Sequence, residues 1–215
     1  MIYTDLDGVL RNLAGAVLGY EPKTYDELTP EGITIVGFVN SRLSELLLCS
    51  EAEYAPAFYG LPFIHIVSHQ FPSWRPYTLE WIATHLESVP VKYVTFVDHT
   101  EEKLAILKNT PGSLLVEDYP NFSSYDRIVL VDKPYNRAVT CKTRVHDTLE
   151  LSEILWTGHL ERVSLSSSHY GYGVYEIPKE RLLAGTVPIT WDEPDEYERL
   201  PFKHTRYHEE GNGGP

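Results

Sequence analysis

The sequence predicts an α/β protein, a doubly wound and mostly parallel sheet with helices between its strands. Three observations carry this. Short runs rich in β-branched and aromatic residues, at 1–5, 63–67, 91–97, 113–116 and 126–132, alternate with segments of helical periodicity. The second run, FIHIV, is apolar at nearly every position, the pattern of a strand covered on both faces. Most of these runs end in acidic or hydroxyl residues, and open parallel sheets bind ligands at the carboxyl ends of their strands.

The first run, MIYTDLDGVL, organises the rest. If its strand ends at Asp5, both Asp5 and Asp7 lie at the carboxyl edge, pointing the same way because side chains alternate along an extended chain. Gly8 then lets the backbone turn where a Cβ would hinder it. Two such carboxylates can share a divalent cation while one of them does covalent chemistry. A capped strand end is the plain alternative. A calcium loop fits poorly, because LRNLAG supplies neither the further ligands nor the distant Glu that an EF-hand needs.

Residues 13–60 form a long insertion before the second strand, suited to a small cap over the strand edge or to a ragged crossover. Within it 34–50 has helical spacing, with Val36, Val39, Leu43, Leu46 and Leu47 on one face. The strand at 63–67 runs into Ser68, a hydroxyl placed either to donate to a phosphate oxygen or to cap a turn. A helix is expected from Pro76 or Thr78, with Leu79, Ile82, Ala83 and Leu86 inward, after an approach loop holding Trp74, Arg75 and Tyr77. The strand at 91–97 leads to a short helix capped by Asp98 or Thr100 and carrying Lys103 and Lys108. The strand at 113–116 ends in Glu117 and Asp118, a second acidic pair that is costly at a strand end unless a cation or hydrogen bonds compensate it. After the strand at 126–132, VTCKTRV is expected as a short strand and LELSEILW as a helix.

Composition bounds the function. The 215 residues are 42% hydrophobic, enough for one core domain (1–160) and a C-terminal extension (161–215). A net charge of −13 argues against a broad grip on nucleic acid and leaves open a small phosphorylated metabolite or one nucleic-acid end held locally. Cys49 and Cys141 have no metal-binding spacing and are expected as buried thiols in a reducing compartment. No apolar run approaches transmembrane length and no signal peptide is recognised, so a cytoplasmic protein without a membrane partner is expected. In the extension, 164–175 is expected as a loop and 176–185 as one short helical turn. His204, His208 and Glu209 fall in what is expected to be a solvated tail, one that folds back on the domain or makes a homo-oligomer contact.

Four of these motifs, in this order, resemble the haloacid-dehalogenase-like (HAD) superfamily over about residues 1–156. DLDGVL matches the first motif, D-x-D-G-[TV]-L, at every position, and Ser68 matches the second-motif hydroxyl. Lys103 best fits the motif lysine, with Lys108 as the fallback. Glu117-Asp118 resembles the fourth-motif acidic pair, which is more often Asp-Asp in nucleotidase-like branches. Pro134-Tyr135-Asn136-Arg137, following VLVD, is similar to an element of the 5'-(deoxy)ribonucleotidase branch.

The resemblance implies a phosphatase working through an aspartyl-phosphate. Asp5 would be the nucleophile and Asp7 the general acid and base. Mg2+ would be held by Asp5, the Asp7 backbone carbonyl and Asp118, with Glu117 coordinating or acting through water. Ser68 and Lys103 would hold the phosphoryl oxygens, and Arg11, Asn12 and His69 are candidate substrate contacts. The expected substrates are (deoxy)nucleoside monophosphates. The alternatives are a polynucleotide-end or sugar-phosphate phosphatase of the same fold, or a non-catalytic phosphate-binding module.

Overall fold

A computed structural model describes residues 1–167 and 186–189. Its strands are β1 (Ile2–Thr4), β2 (Ile64–His69), β3 (Val91–Val97), β4 (Leu114–Glu117), β5 (Ile128–Val131), β6 (Arg144–Val145) and β7 (Thr186–Pro188). They form one sheet in the order β6-β5-β4-β1-β2-β3-β7, parallel throughout except for β7, which pairs antiparallel with β3. The helices are α1 (Leu13–Leu18), α2 (Ile35–Ser41), α3 (Leu43–Cys49), α4 (Arg75–His85), α5 (Glu102–Asn109) and α6 (Thr148–Ser167). None of the described helices is long and apolar enough to cross a membrane.

Side-chain alternation along the strands builds two separate cores. Ile2, Val116 and Val129 face one side, where Trp81 and Ile82 of α4 and Leu151 and Leu155 of α6 pack on them. Tyr3, Leu115 and Ile128 face the other, against Leu104, Ile106 and Leu107 of α5. This is the two-faced burial that FIHIV foretold.

Strand order fixes where a site can form. The chain leaves β1 toward β2 and leaves β4 toward β5, on opposite sides of the β1/β4 pair. A crevice opens where such connections diverge, at the carboxyl ends of the strands. Asp5 directly follows β1, and Asp118 directly follows β4.

The insertion between β1 and β2 carries α1, α2, α3 and a 3-10 turn (Ala55–Phe58). Leu13, Val39, Leu46 and Leu47 form its own apolar cluster, completed by Trp74 from the loop before α4. The indole Nε1 of Trp74 donates to Asn40 Oδ1 at 2.7 Å, binding that loop to the insertion.

Several expectations need correction. The helix expected over 34–50 is two helices, because Arg42 (φ −144°, ψ 44°) leaves the helical region. The break resets the apolar stripe: Val39, Leu46 and Leu47 are buried, whereas Val36 is exposed. Cys49 is exposed and Cys141 half-buried, so neither is a core thiol. Asp98 and Thr100 do not cap α5: Asp98 pairs with Arg75, and the Thr100 hydroxyl bonds to His69. The loop expected at 164–175 begins as the last turn of α6, which also runs through the expected boundary at 160. Edge strand β7 was not foreseen. The helical turn at 176–185 and the His204/His208 pair lie outside the described residues.

Candidate active site

The first site group is set by strand pairing. Asp5 N donates to Val116 O at 2.9 Å, stitching the end of β1 to β4, and Leu6 N donates to Asp5 Oδ1 at 2.7 Å. Beyond Asp5 the chain does not continue as a strand. The amides of Leu10 and Arg11 both donate to Leu6 O at 2.8 Å, so residues 6–11 form a tight turn. The alternation argument for Asp5 and Asp7 therefore does not apply, although both carboxylates border the same cavity. Gly8 sits in this turn at φ 85°, and a Cβ there would lie 2.1 Å from Asp118 Oδ2. Only glycine permits this conformation and this approach.

Lys103, on the first turn of α5, reaches back beneath the sheet edge. Its Nζ lies 2.6 Å from Asp5 Oδ2 and 3.0 Å from Glu117 Oε2. Lys108, the fallback, is exposed. Glu117 is fully enclosed, and its other oxygen accepts the backbone amides of Asp118 (3.1 Å) and Tyr119 (3.3 Å). Asp118 accepts a short hydrogen bond from the Tyr135 hydroxyl. Its loop is pinned by Asn136, whose Nδ2 donates to Asp118 O at 2.9 Å and Val131 O at 2.8 Å.

Asp5, Glu117 and Asp118 thus bring carboxylate oxygens within 4.8 Å of one another, all buried. Lys103 supplies one positive charge against their three. Burial pushes the Asp5 carboxyl up to about 8, with Glu117 adding to the rise and Lys103 opposing it. Burial and then the Asp5 charge push Asp118 up to about 6, and burial raises Glu117. Burial works to lower Lys103, but the two carboxylates outweigh it and hold the ammonium protonated. Among the described residues the cluster is short of positive charge. Three hard oxygen donors with excess negative charge fit a divalent cation such as Mg2+.

A cavity of about 460 Å³ opens above these groups, between the strand ends and the insertion. Ser68, at the end of β2, lines it, as do His69 and Thr100. Five aromatic side chains, Tyr25, Phe71, Trp74, Tyr119 and Tyr135, also line it. Tyr25 from the insertion lies 4.9 Å, ring centre to ring centre, from Tyr119 and 5.7 Å from Tyr135, while Phe71 and Trp74 meet at 5.3 Å. Among the described residues Lys103 is the one Lys or Arg on the lining, against six Asp or Glu.

Two expected substrate contacts are corrected. Arg11 is fully buried and faces away from the cavity: its Nε lies 2.6 Å from Asp7 Oδ1 and its Nη2 3.0 Å from Asp7 Oδ2. The turn carries its side chain inward, over the Trp81 ring. Asn12 caps α1, accepting from Gly15 N at 2.9 Å and donating to Glu21 at 3.1 Å, so its side chain is used up in the insertion. Sequence reasoning also missed Gln70, Tyr25 and the bond from Tyr135 to Asp118. PYNR was singled out, but nothing in its spacing says that its tyrosine meets a carboxylate seventeen residues earlier.

No protein-family model matches the chain, and no curated protein matches it significantly.

Proposed function

We propose that this protein is a magnesium-dependent phosphomonoesterase of the HAD type, which dephosphorylates nucleoside monophosphates through an aspartyl-phosphate on Asp5. One observation carries the reading: a carboxylate at the end of the central strand, in contact with a buried lysine and surrounded by further buried carboxylates, at the floor of a cavity.

Asp5 Oδ would attack phosphorus while the ester P–O bond breaks, and Asp7 would give a proton to the departing alkoxide. Water would then attack the aspartyl-phosphate, Asp7 taking its proton and the Asp5 carboxylate leaving with the bond's electron pair. Lys103 and the Ser68 hydroxyl would hold the phosphoryl oxygens. Asp5 and Asp118 would hold Mg2+, whose charge would offset that of the transferring group. Glu117 serves as the counter-ion that fixes Lys103.

The cavity favours a monophosphate with an uncharged, flat leaving group. Among the described residues its sole Lys or Arg is already committed to Asp5 and Glu117, and none of them offers a cation for a second phosphate. Its aromatic side chains suit a ring such as a nucleobase.

The test is phosphate release from nucleoside 5'- and 3'-monophosphates, sugar phosphates and 3'-phosphorylated oligonucleotides, with Mg2+ or EDTA. Turnover of the nucleoside monophosphates that needs Mg2+ and is lost in Asp5→Asn is the expected result. Turnover of another class would redirect the substrate assignment, and silence across the panel from folded protein would favour a binding module.

A further inference from the structure

Asp7, at the cavity, accepts three side-chain hydrogen bonds from two residues. Arg11 forks both its oxygens, and Gln70 Nε2 donates to Oδ2 at 2.5 Å. Neither donor is free to do anything else. Arg11 has no exposed surface, and its remaining Nη1 reaches Leu47 O at 3.4 Å and Thr78 Oγ1 at 3.3 Å. The second N–H of Gln70 goes to Ser68 Oγ at 3.1 Å, and its Oε1 accepts from Thr78 Oγ1 at 3.0 Å. One amide therefore bridges Asp7 and Ser68, and α4 fixes that amide through Thr78.

Burying a guanidinium is costly unless it is paired and hydrogen-bonded. The turn itself does not need its fork on Asp7, since Leu6 O already closes that turn through the amides of Leu10 and Arg11. We infer that Arg11 and Gln70 are positioning residues that hold the Asp7 carboxylate in one orientation at the border of the cavity, and that they serve the steps in which a proton moves. The inference rests on the phosphatase reading given above.

The consequence is selective. Attack of Asp5 on an aryl phosphate releases a stable phenolate and asks little of Asp7. An alkyl phosphate needs a proton for its alkoxide, and hydrolysis of the aspartyl-phosphate needs a proton taken from water. Loss of positioning should therefore slow alkyl esters and phosphoenzyme hydrolysis, while sparing phosphoryl transfer from an aryl ester.

The experiment compares wild type, Gln70→Met, Arg11→Lys and Asp5→Asn on p-nitrophenyl phosphate and on a nucleoside monophosphate, by rapid mixing and at steady state. For Gln70→Met the expected kcat on the nucleotide falls about 10–100-fold with KM within about 3-fold, the size of one general acid–base contribution partly lost. With the aryl ester the same variant should give a burst of one phenolate per active site, then a slow phase. Arg11→Lys keeps the charge but loses the fork, and should show the same split more weakly. Equal losses on both esters without a burst, or an unchanged kcat, would overturn the inference while leaving the phosphatase reading standing. A wild type with no Asp5-dependent turnover would overturn both. Should Arg11→Lys fail to fold, Gln70→Met alone decides.

Discussion

Lys103 is the residue on which the site's electrostatics turn. Among the described residues its ammonium is the only charge paired with Asp5 and Glu117, at 2.6 and 3.0 Å, and all three are buried. Removing one partner of a buried pair leaves an uncompensated charge, which costs about 3–5 kcal/mol. Lys103→Met is therefore expected to lower the unfolding free energy by roughly that amount, read by denaturant titration at neutral pH without metal. Gly8 is the second sensitive point. A methyl at φ 85° would strike Asp118 Oδ2, so Gly8→Ala is expected to cost about 1–3 kcal/mol and to weaken Mg2+ affinity, read by titration calorimetry. Tyr135→Phe removes a donor from Asp118 without changing shape, and should leave stability within about 1–2 kcal/mol while altering Mg2+ affinity.

At the scale of elements, a buried lysine is one of the contacts that fasten the insertion to the sheet. Lys133, just after β5, meets Glu53 at 2.5 and 2.6 Å and Glu21 at 3.5 Å. Asn12 also holds Glu21, so both ends of the insertion share this tether. Lys133→Met is expected to speed amide hydrogen exchange across 13–53 while the strands keep their protection. Equal acceleration in β1 and β4 would show instead that the tether supports the whole domain. The strands were the most legible elements in the sequence. β3 spans the same residues that VKYVTFV marks, because a strand buried on both faces writes itself as a continuous apolar run. The insertion was less legible. Its helices are short and half-exposed, so the break at Arg42 left no gap in the hydrophobic spacing.

The same distinction separates what the sequence carried of the site from what it did not. Asp5, Ser68, Lys103, Glu117 and Asp118 each sit at or just past a strand end, where position along the chain fixes position in space. Arg11, Gln70 and Tyr135 act through side-chain direction and contacts between distant segments. Arg11 looked like a cavity residue until the turn at 6–11 carried it inward.

The whole molecule should report the site's charge in its response to pH. Asp5 and Asp118, raised to about 8 and about 6, and Glu117, raised as well, bind protons more tightly folded than unfolded. Their stabilising contribution is complete below the ordinary carboxylate range and is lost as pH rises through the folded values, from about 4 to about 8. His65 works in the opposite sense. Burial lowers it to about 3, so its contribution is complete above its ordinary value of 6.5 and is lost as pH falls toward 3. Metal-free protein is thus expected to have a falling Tm between pH 6 and 8, and Mg2+ to restore it most at the alkaline end. Scanning calorimetry with EDTA or Mg2+ reads this directly. A Tm that rises over that interval without metal would mean that the three carboxylates are not held together as described.

The central claim is that Asp5 is the nucleophile, and trapping its phosphorylated form tests it most directly. Wild type mixed with Mg2+ and a nucleoside monophosphate would be quenched in acid within milliseconds, digested, and its peptides weighed. The expected result is the mass of one phosphoryl group on the peptide containing Asp5, acid-stable and lost in alkali as an acyl phosphate is, and absent from Asp5→Asn. Phosphate release by wild type with no phosphorylated peptide, and undiminished release by Asp5→Asn, would contradict it.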